Sequence, residues 1–219
     1  MSAEANDLVI ETLTVGALAT NAYLVGDPAT RDAVVVDPGW EGERIVQRLR
    51  GGDWRLRAVW LTHAHFDHVG AVDEVVASAG PVPVPVLLHA ADRDIYRAAA
   101  ASARIWTGVA LDGPHTPTRD IAHGATLCAG SLRATARHVP GHAPGHMVFV
   151  LDGVAAVLAG DTLMRGGVGR WDLPGGDRDV LLTGIRRELL SLPEGTAVLP
   201  GHGPPTTVGH EARTNPYLT

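Results

Sequence analysis

Short apolar bursts at Leu8–Val15, Ala22–Val25 and Ala33–Val36 are separated by Gly, Asn and Asp-Pro, and their β-branched content predicts the strands of a meander. The period then changes. Glu41–Arg50 carries Ile45, Val46 and Leu49 at helical spacing and stops at Gly51-Gly52, while Leu56–Leu61 is apolar enough for a buried strand. Asp67–Ala79 is expected as a second helix closed by Gly80, and a proline-interrupted connection from Pro81 leads to a strand at Val86–Leu88 and a polar helix over Asp92–Ala103. Thr107–Gly130 has no regular period, and a surface excursion able to border a site is expected there. Strands follow near Leu132–His138, Met147–Leu151 and Val154–Ala159, then a helix Arg178–Leu190 and a last strand Ala197–Leu199. Sheet followed by strand–helix alternation, given twice, predicts an α/β chain with two sheets between helix layers and ligands at strand ends.

Polar residues cluster where the apolar runs end. In LTHAHFDHVG, His63 and His65 project to one side of an extended stretch, and Asp67 with His68 falls on the turn into the next helix. His142 in HVPGHAPGH, Asp161 in VLAGDTL and His202 in VLPGHGP each stand beside glycine at the end of an apolar run. Singly, each is a turn histidine or a capping aspartate. As a set of seven, they read as ligands gathered at one sheet edge.

Composition narrows the chemistry. The chain has 219 residues, 45% of them apolar and 19% charged, as in an ordinary globule, and is expected to form a single domain over residues 1–219. A net charge of −6 gives no footprint for nucleic acid, and no apolar stretch is long enough to span a bilayer. The 18 basic residues are all arginine, so Schiff-base and P-loop chemistry lack their lysine. Cys128, the one cysteine, has no intrachain disulfide partner and is expected to be a buried small hydrophobe, and with no signal segment in MSAEANDLVI this places the chain in the cytoplasm.

Histidine and carboxylate without thiolate select Zn²⁺, Fe or Mn over a closed structural zinc site. Two divalent ions ~3.5–4 Å apart bring four positive charges, of which two aspartates and a hydroxide return three. A carboxylate is needed between the ions, and Asp161, isolated from other acids, is the candidate; Asp67 then serves one ion as the candidate catalytic carboxylate. The residual positive charge suits an anionic substrate.

VVVDPG with Asp37, THAHFDHVG, HVPGHAPGH, AGDTL and PGHGP stand in the order of the metallo-β-lactamase superfamily. With GGVGRWDLPGGD and the NPYL ending, the chain resembles the short single-domain bacterial members of its glyoxalase II branch. The resemblance implies an αββα four-layer sandwich of two mixed sheets flanked by helices. It places His63, His65 and His142 on one ion, Asp67, His68 and His202 on the other, and Asp161 across both. Asp37 would brace the histidine loop, and His146 is a motif position without a settled ligand duty. The activity implied is cleavage of a thioester such as S-lactoylglutathione by a metal-bridging hydroxide, with two divalent ions, foremost zinc, as cofactors.

The chain departs from larger glyoxalase II enzymes in ending 17 residues after His202, without their helical glutathione-holding segment. Their thiol pocket uses lysine, so Arg165 or Arg170 would have to bind substrate carboxylates. A mononuclear Fe(II) persulfide dioxygenase and a lactonase are alternatives on the same ligands. A class B β-lactamase fits less well, because it resembles a pattern with cysteine where Asp161 stands, and a non-catalytic binding module would need its open ion positions blocked. Oligomeric state is not encoded in any motif.

Overall fold

A computed structural model describes residues 8–111 and 117–219. The first sheet runs β1 (Val9–Val15), β2 (Thr20–Asp27), β3 (Asp32–Val36), β4 (Arg55–Trp60), β5 (Val86–His89) and β6 (Arg119–Ile121) in spatial order. Its first three strands are antiparallel, and β3 to β6 are parallel. The second sheet contains β7 (Thr126–Ala129), β8 (Leu132–His138), β9 (Met147–Leu151) and β10 (Ala156–Gly160). A small hairpin, β11 (Leu163–Met164) with β12 (Gly167–Val168), stands apart. β13 (Ala197–Pro200) lies parallel to β10 and β14 (Thr206–Thr207) completes that edge, so the second sheet is ordered β14-β13-β10-β9-β8-β7.

Strand alternation separates three apolar clusters, and these are the three spaces of an αββα sandwich. On β9, Met147, Phe149 and Leu151 turn toward the first sheet, where Phe149 meets Trp60 at a ring-centroid distance of 5.6 Å, while Val148 turns away. On β3 and β4, Val34, Val36, Ala58 and Trp60 face the second sheet, and Ala33, Val35, Val59 and, directly after β4, Leu61 face helices. The helices on that outer face are α1 (Gly42–Gly51), α2 (Phe66–Val69), α3 (Val72–Ala77) and α4 (Arg93–Thr107), with Ile45, Leu49, Val69, Val72, Tyr96 and Ala99 in the cluster. Beyond the second sheet, α5 (Arg178–Glu188) contributes Leu181 and Ile185 and α6 (Val208–Thr214) contributes Val208. Asp177 and Thr207 cap these two helices by accepting from the amides of Val180 and His210 at 3.0 and 3.2 Å.

Four expectations are corrected. The helix expected over Asp67–Ala79 is broken into α2 and α3, because the amide of Ala71 donates to the carbonyl of Pro38 at 2.8 Å and anchors the junction to the loop after β3. The polar helix begins later, after a 3₁₀ turn at Ala90–Asp92, and runs on to Thr107. The excursion Thr107–Gly130 contains β6 and β7, short edge strands whose polar residues hid them, while residues 112–116 lie outside the described residues. Cys128 is exposed: β7 buries Leu127 and Ala129, so the residue between them points outward, beside Arg133 at 2.9 Å. Among the described residues no helix is long and apolar enough to cross a membrane.

Candidate metal centre

The parallel pairs β3/β4 and β10/β13 carry their C-terminal ends to one edge of the sandwich, where α/β folds place ligands. Asp37 follows β3, the Thr62–His65 loop and then α2 with Asp67 and His68 follow β4, Asp161 follows β10 and His202 follows β13, while the β8–β9 connection supplies His142. The edge is tied across the sheets: the amide of Asn21 donates to Gly201 at 2.7 Å, and Tyr23 Oη donates to the Pro200 carbonyl at 2.7 Å. Gly201 allows this approach, since a Cβ there would lie 2.1 Å from Asp161 Oδ1.

Hydrogen-bond partners assign the state of each imidazole. Thr62 Oγ1 donates to Asp37 Oδ2 at 2.6 Å, so its oxygen is left to accept from His63 Nδ1 at 3.0 Å. His68 Nδ1 donates to the same Asp37 oxygen at 2.9 Å, His142 Nδ1 to the Arg170 carbonyl at 2.7 Å, and His202 Nδ1 to the Leu18 carbonyl at 3.0 Å. All four rings therefore present Nε2 inward. His63 Nε2 and His142 Nε2 face each other at 3.2 Å, and His65 Nδ1 reaches His142 Nε2 at 2.9 Å. On the other side, His202 Nε2 is 3.2 Å from Asp67 Oδ2, and His68 Nε2 is 3.6 Å from that oxygen and 3.5 Å from Asp161 Oδ1. Asp161 Oδ2 stands 3.6 Å from His142 Nε2 and 3.5 Å from His202 Nε2, between the two groups.

Two of these buried atoms, His68 Nε2 and Asp161 Oδ1, make no hydrogen bond among the described residues. Lone pairs converging on lone pairs, beside orphaned buried polar atoms, are what a cation would resolve. The donors within reach of one another form His63/His65/His142 and Asp67/His68/His202 groups that fit two divalent ions. A third grouping, Asp37 with His63 and His68, uses atoms already engaged in the hydrogen bonds of Thr62 and His68, so Asp37 braces both histidines instead. The brace sits at φ 50°, a left-handed conformation that aspartate tolerates better than most residues and that marks strain at a site.

Charge divides the centre. Burial, together with the neighbouring His68 and the other imidazoles, holds His63 well below its ordinary value, and burial brings His65 down to about 4. Burial also pulls on His68, but Asp161, Asp67 and Asp37 outweigh it and hold that ring at about 10. His202 is raised too, burial being outweighed by the carboxylates of Asp67 and Asp161. Asp67 is driven down, since His68 and His202 overcome its burial. Without a cation, a proton on His68 therefore stands in for one.

A metal entering the Asp67/His68/His202 group must displace that proton. Its apparent affinity is expected to rise about tenfold per pH unit for each proton displaced, from neutrality toward pH 10, whereas the three-histidine group, already neutral, stays flat above pH 7. Zinc titration in weak buffer with a pH indicator checks this: one of two binding steps should release protons at pH 8. Release in neither step is the contrary result.

The remaining expected residues fall at the rim or behind the donors. His146 does not face the centre: its Nε2 accepts from the amide of Asp161 at 2.9 Å, and its ring stacks on His63 at 4.8 Å. Arg170 lies over Trp106 at 6.0 Å and chelates Asp172 at 2.8 and 2.9 Å. Arg165 is exposed at the tip of the β11–β12 hairpin. Sequence reasoning missed Thr20, whose hydroxyl donates to Asp67 Oδ2 at 3.0 Å, and Asp92, treated only as the start of a helix. Thr20 carries one sequence signal, a polar residue opening an otherwise apolar strand, and Asp92 carries none, standing before a helix that is itself polar.

The metallo-beta-lactamase superfamily model matches residues 15–202. The chain belongs to that superfamily. Among its relatives, the protein named hydroxyacylglutathione hydrolase GloC from Haemophilus influenzae is 34% identical over 211 residues, covering 95% of this chain and 97% of that one. The crystal structure of TTHA1623 in a di-iron-bound form superposes with a TM-score of 0.85 at 44% identity, covering 95% of this chain and 100% of that one. The crystal structure of BLEG-1 B3 metallo-beta-lactamase gives a TM-score of 0.89 at 35% identity, covering 96% and 100%. The fold is thus that of the superfamily, and the chain is a metal-dependent hydrolase.

Proposed function

We propose that this hydrolase cleaves thioesters, S-lactoylglutathione or a related thiol ester, using two divalent ions that His63, His65 and His142 and Asp67, His68 and His202 would hold, with the Asp161 carboxylate available to both groups. The observation that carries the reading is the set of four imidazoles whose Nδ1 atoms are each committed to an oxygen while their Nε2 atoms converge beside two carboxylates. The name of the Haemophilus influenzae relative supports the substrate class. Zinc suits the donors as well as iron, the metal of the di-iron-bound TTHA1623 structure.

When bound, such a pair of ions supplies a Lewis acid for a carbonyl oxygen and a water acidified toward neutral pH. The residues supply the rest. Asp67, held far below neutrality, is a poor proton store and acts as a fixed negative charge that accepts from Thr20. The amide of Asp161, held by His146, fixes its carboxylate between the two halves. A departing thiolate needs no acid, because a thiol pKa of about 8.5 makes the thiolate a good leaving group. An anionic carrier would be met at the rim by Arg165 and by Arg170, the latter after it releases Asp172.

Arg170→Ala is expected to raise KM for a glutathione thioester by roughly fivefold, with kcat within twofold, as befits one exposed ion pair worth about 1 kcal/mol. Asp172→Ala should lower KM by freeing the guanidinium. Steady-state kinetics on both variants checks the contact, and an unchanged KM in both would remove Arg170 from the substrate's path.

The reading itself is tested with metal-quantified protein and S-lactoylglutathione, with and without chelator, beside parallel assays of oxygen uptake with glutathione persulfide and of lactone and β-lactam hydrolysis. Chelator-sensitive thioester cleavage without oxygen uptake is the expected result. Oxygen consumption would favour the Fe(II) dioxygenase, and turnover confined to lactones or β-lactams would move the substrate class.

A further inference from the structure

Asp92 lies at the end of the 3₁₀ turn that opens α4, and its carboxylate is fully buried. Among the described residues it forms no salt bridge with an arginine or histidine. Its two oxygens accept instead from two backbone amides that are distant in sequence: Oδ2 from Ala64 at 3.1 Å and Oδ1 from Gly145 at 2.5 Å. Ala64 lies between His63 and His65, and Gly145 lies three residues after His142 and directly before His146. The close approach is demanded on both sides, because a Cβ on Gly145 would sit 2.8 Å from the carboxylate's Cγ and Oδ1.

Burial of a lone carboxylate disfavours its ionised form, and here it pushes the group up to about 6 against the lowering effect of the Gly145 and Ala64 amides. A core that needed only to be filled would be served better by an apolar side chain. What the carboxylate adds is a two-pronged acceptor of fixed span. The loops it joins are the two that supply His63, His65 and His142. The Asp67/His68/His202 group is held by other hands: Asp37 and Thr20 on the first sheet's side, and the Leu18 carbonyl at His202.

We infer that Asp92 is a positioning residue for one half of the centre: by clamping the amides of Ala64 and Gly145 it sets the separation of the His63/His65 and His142 loops, and so the metal affinity of the three-histidine group alone. The inference rests on the metal assignment above. Asparagine at 92 keeps the shape but offers one acceptor and one donor, so one of the two amides meets an N–H instead of an oxygen. Removal of such an outer partner typically weakens metal binding by about 10- to 100-fold.

Each half can be isolated. In a His202→Ala background the three-histidine group remains, and in a His65→Ala background the Asp67/His68/His202 group remains. Zinc affinity by competition with a chromophoric chelator, measured for full-length protein in both backgrounds, should fall at least tenfold on adding Asp92→Asn in the first and change less than threefold in the second. Should the Asp92 variants not fold, as judged by melting of the metal-free protein, Gly145→Ala strikes the same clamp from its other end and should give the same one-sided loss. Equal weakening in both backgrounds makes Asp92 a general scaffold residue and overturns the inference, as does no change in either. If the parent protein binds no zinc, the metal assignment itself fails, and this is read before any variant is made.

Discussion

Asp161→Ala is expected to lower kcat/KM by about a thousandfold and to reduce the metal content of reconstituted protein from about two ions per chain to about one. Its carboxylate lies within 3.6 Å of nitrogens on both sides of the centre, and no other described acid does so. Without it, neither group loses all its donors, but nothing negative separates the two cations. The loss should be specific to the centre, because among the described residues Asp161 Oδ1 makes no hydrogen bond and Oδ2 approaches only His142 and His202 of the centre itself. Elemental analysis with steady-state kinetics checks the result; a full metal complement with kcat/KM within tenfold of the parent would show that Asp161 does not bridge.

Asp37→Ala should act through the scaffold first. Its two oxygens accept from the Thr62 amide at 2.8 Å, the Thr62 hydroxyl at 2.6 Å and His68 Nδ1 at 2.9 Å, all buried. Removing a buried acceptor strands its donors, which places the cost at about 3–5 kcal/mol. Alanine also tolerates the left-handed backbone less well than aspartate. Denaturant unfolding should show that loss, and both metal groups should weaken, since Thr62 orients His63 while His68 is held directly. Stability within 1 kcal/mol of the parent would contradict the bracing role.

Much of the centre was legible because the chain writes it locally. An apolar run ending in a polar residue beside glycine, as at Asp161 and His202, marks a strand end, and two parallel strand pairs put such ends on one edge. The αββα layering was legible from the order of sheet and alternation. Asp92 and Thr20 were not, because their partners lie 28, 53 and 47 residues away and two of those contacts are to backbone amides, which carry no side-chain signature. The break between α2 and α3 depends on the Pro38 carbonyl, equally invisible to helical spacing. Cys128 was misplaced for a nearer reason: a four-residue edge strand in a glycine-rich stretch is too short to show its alternation.

The most direct test of a two-cation centre is anomalous diffraction from crystals of zinc-loaded protein, collected on both sides of the zinc absorption edge. Two peaks about 3.5–4 Å apart are expected, one among His63, His65 and His142 and the other among Asp67, His68 and His202, with Asp161 in contact with both. A single peak, or zinc bound away from these side chains, would contradict it.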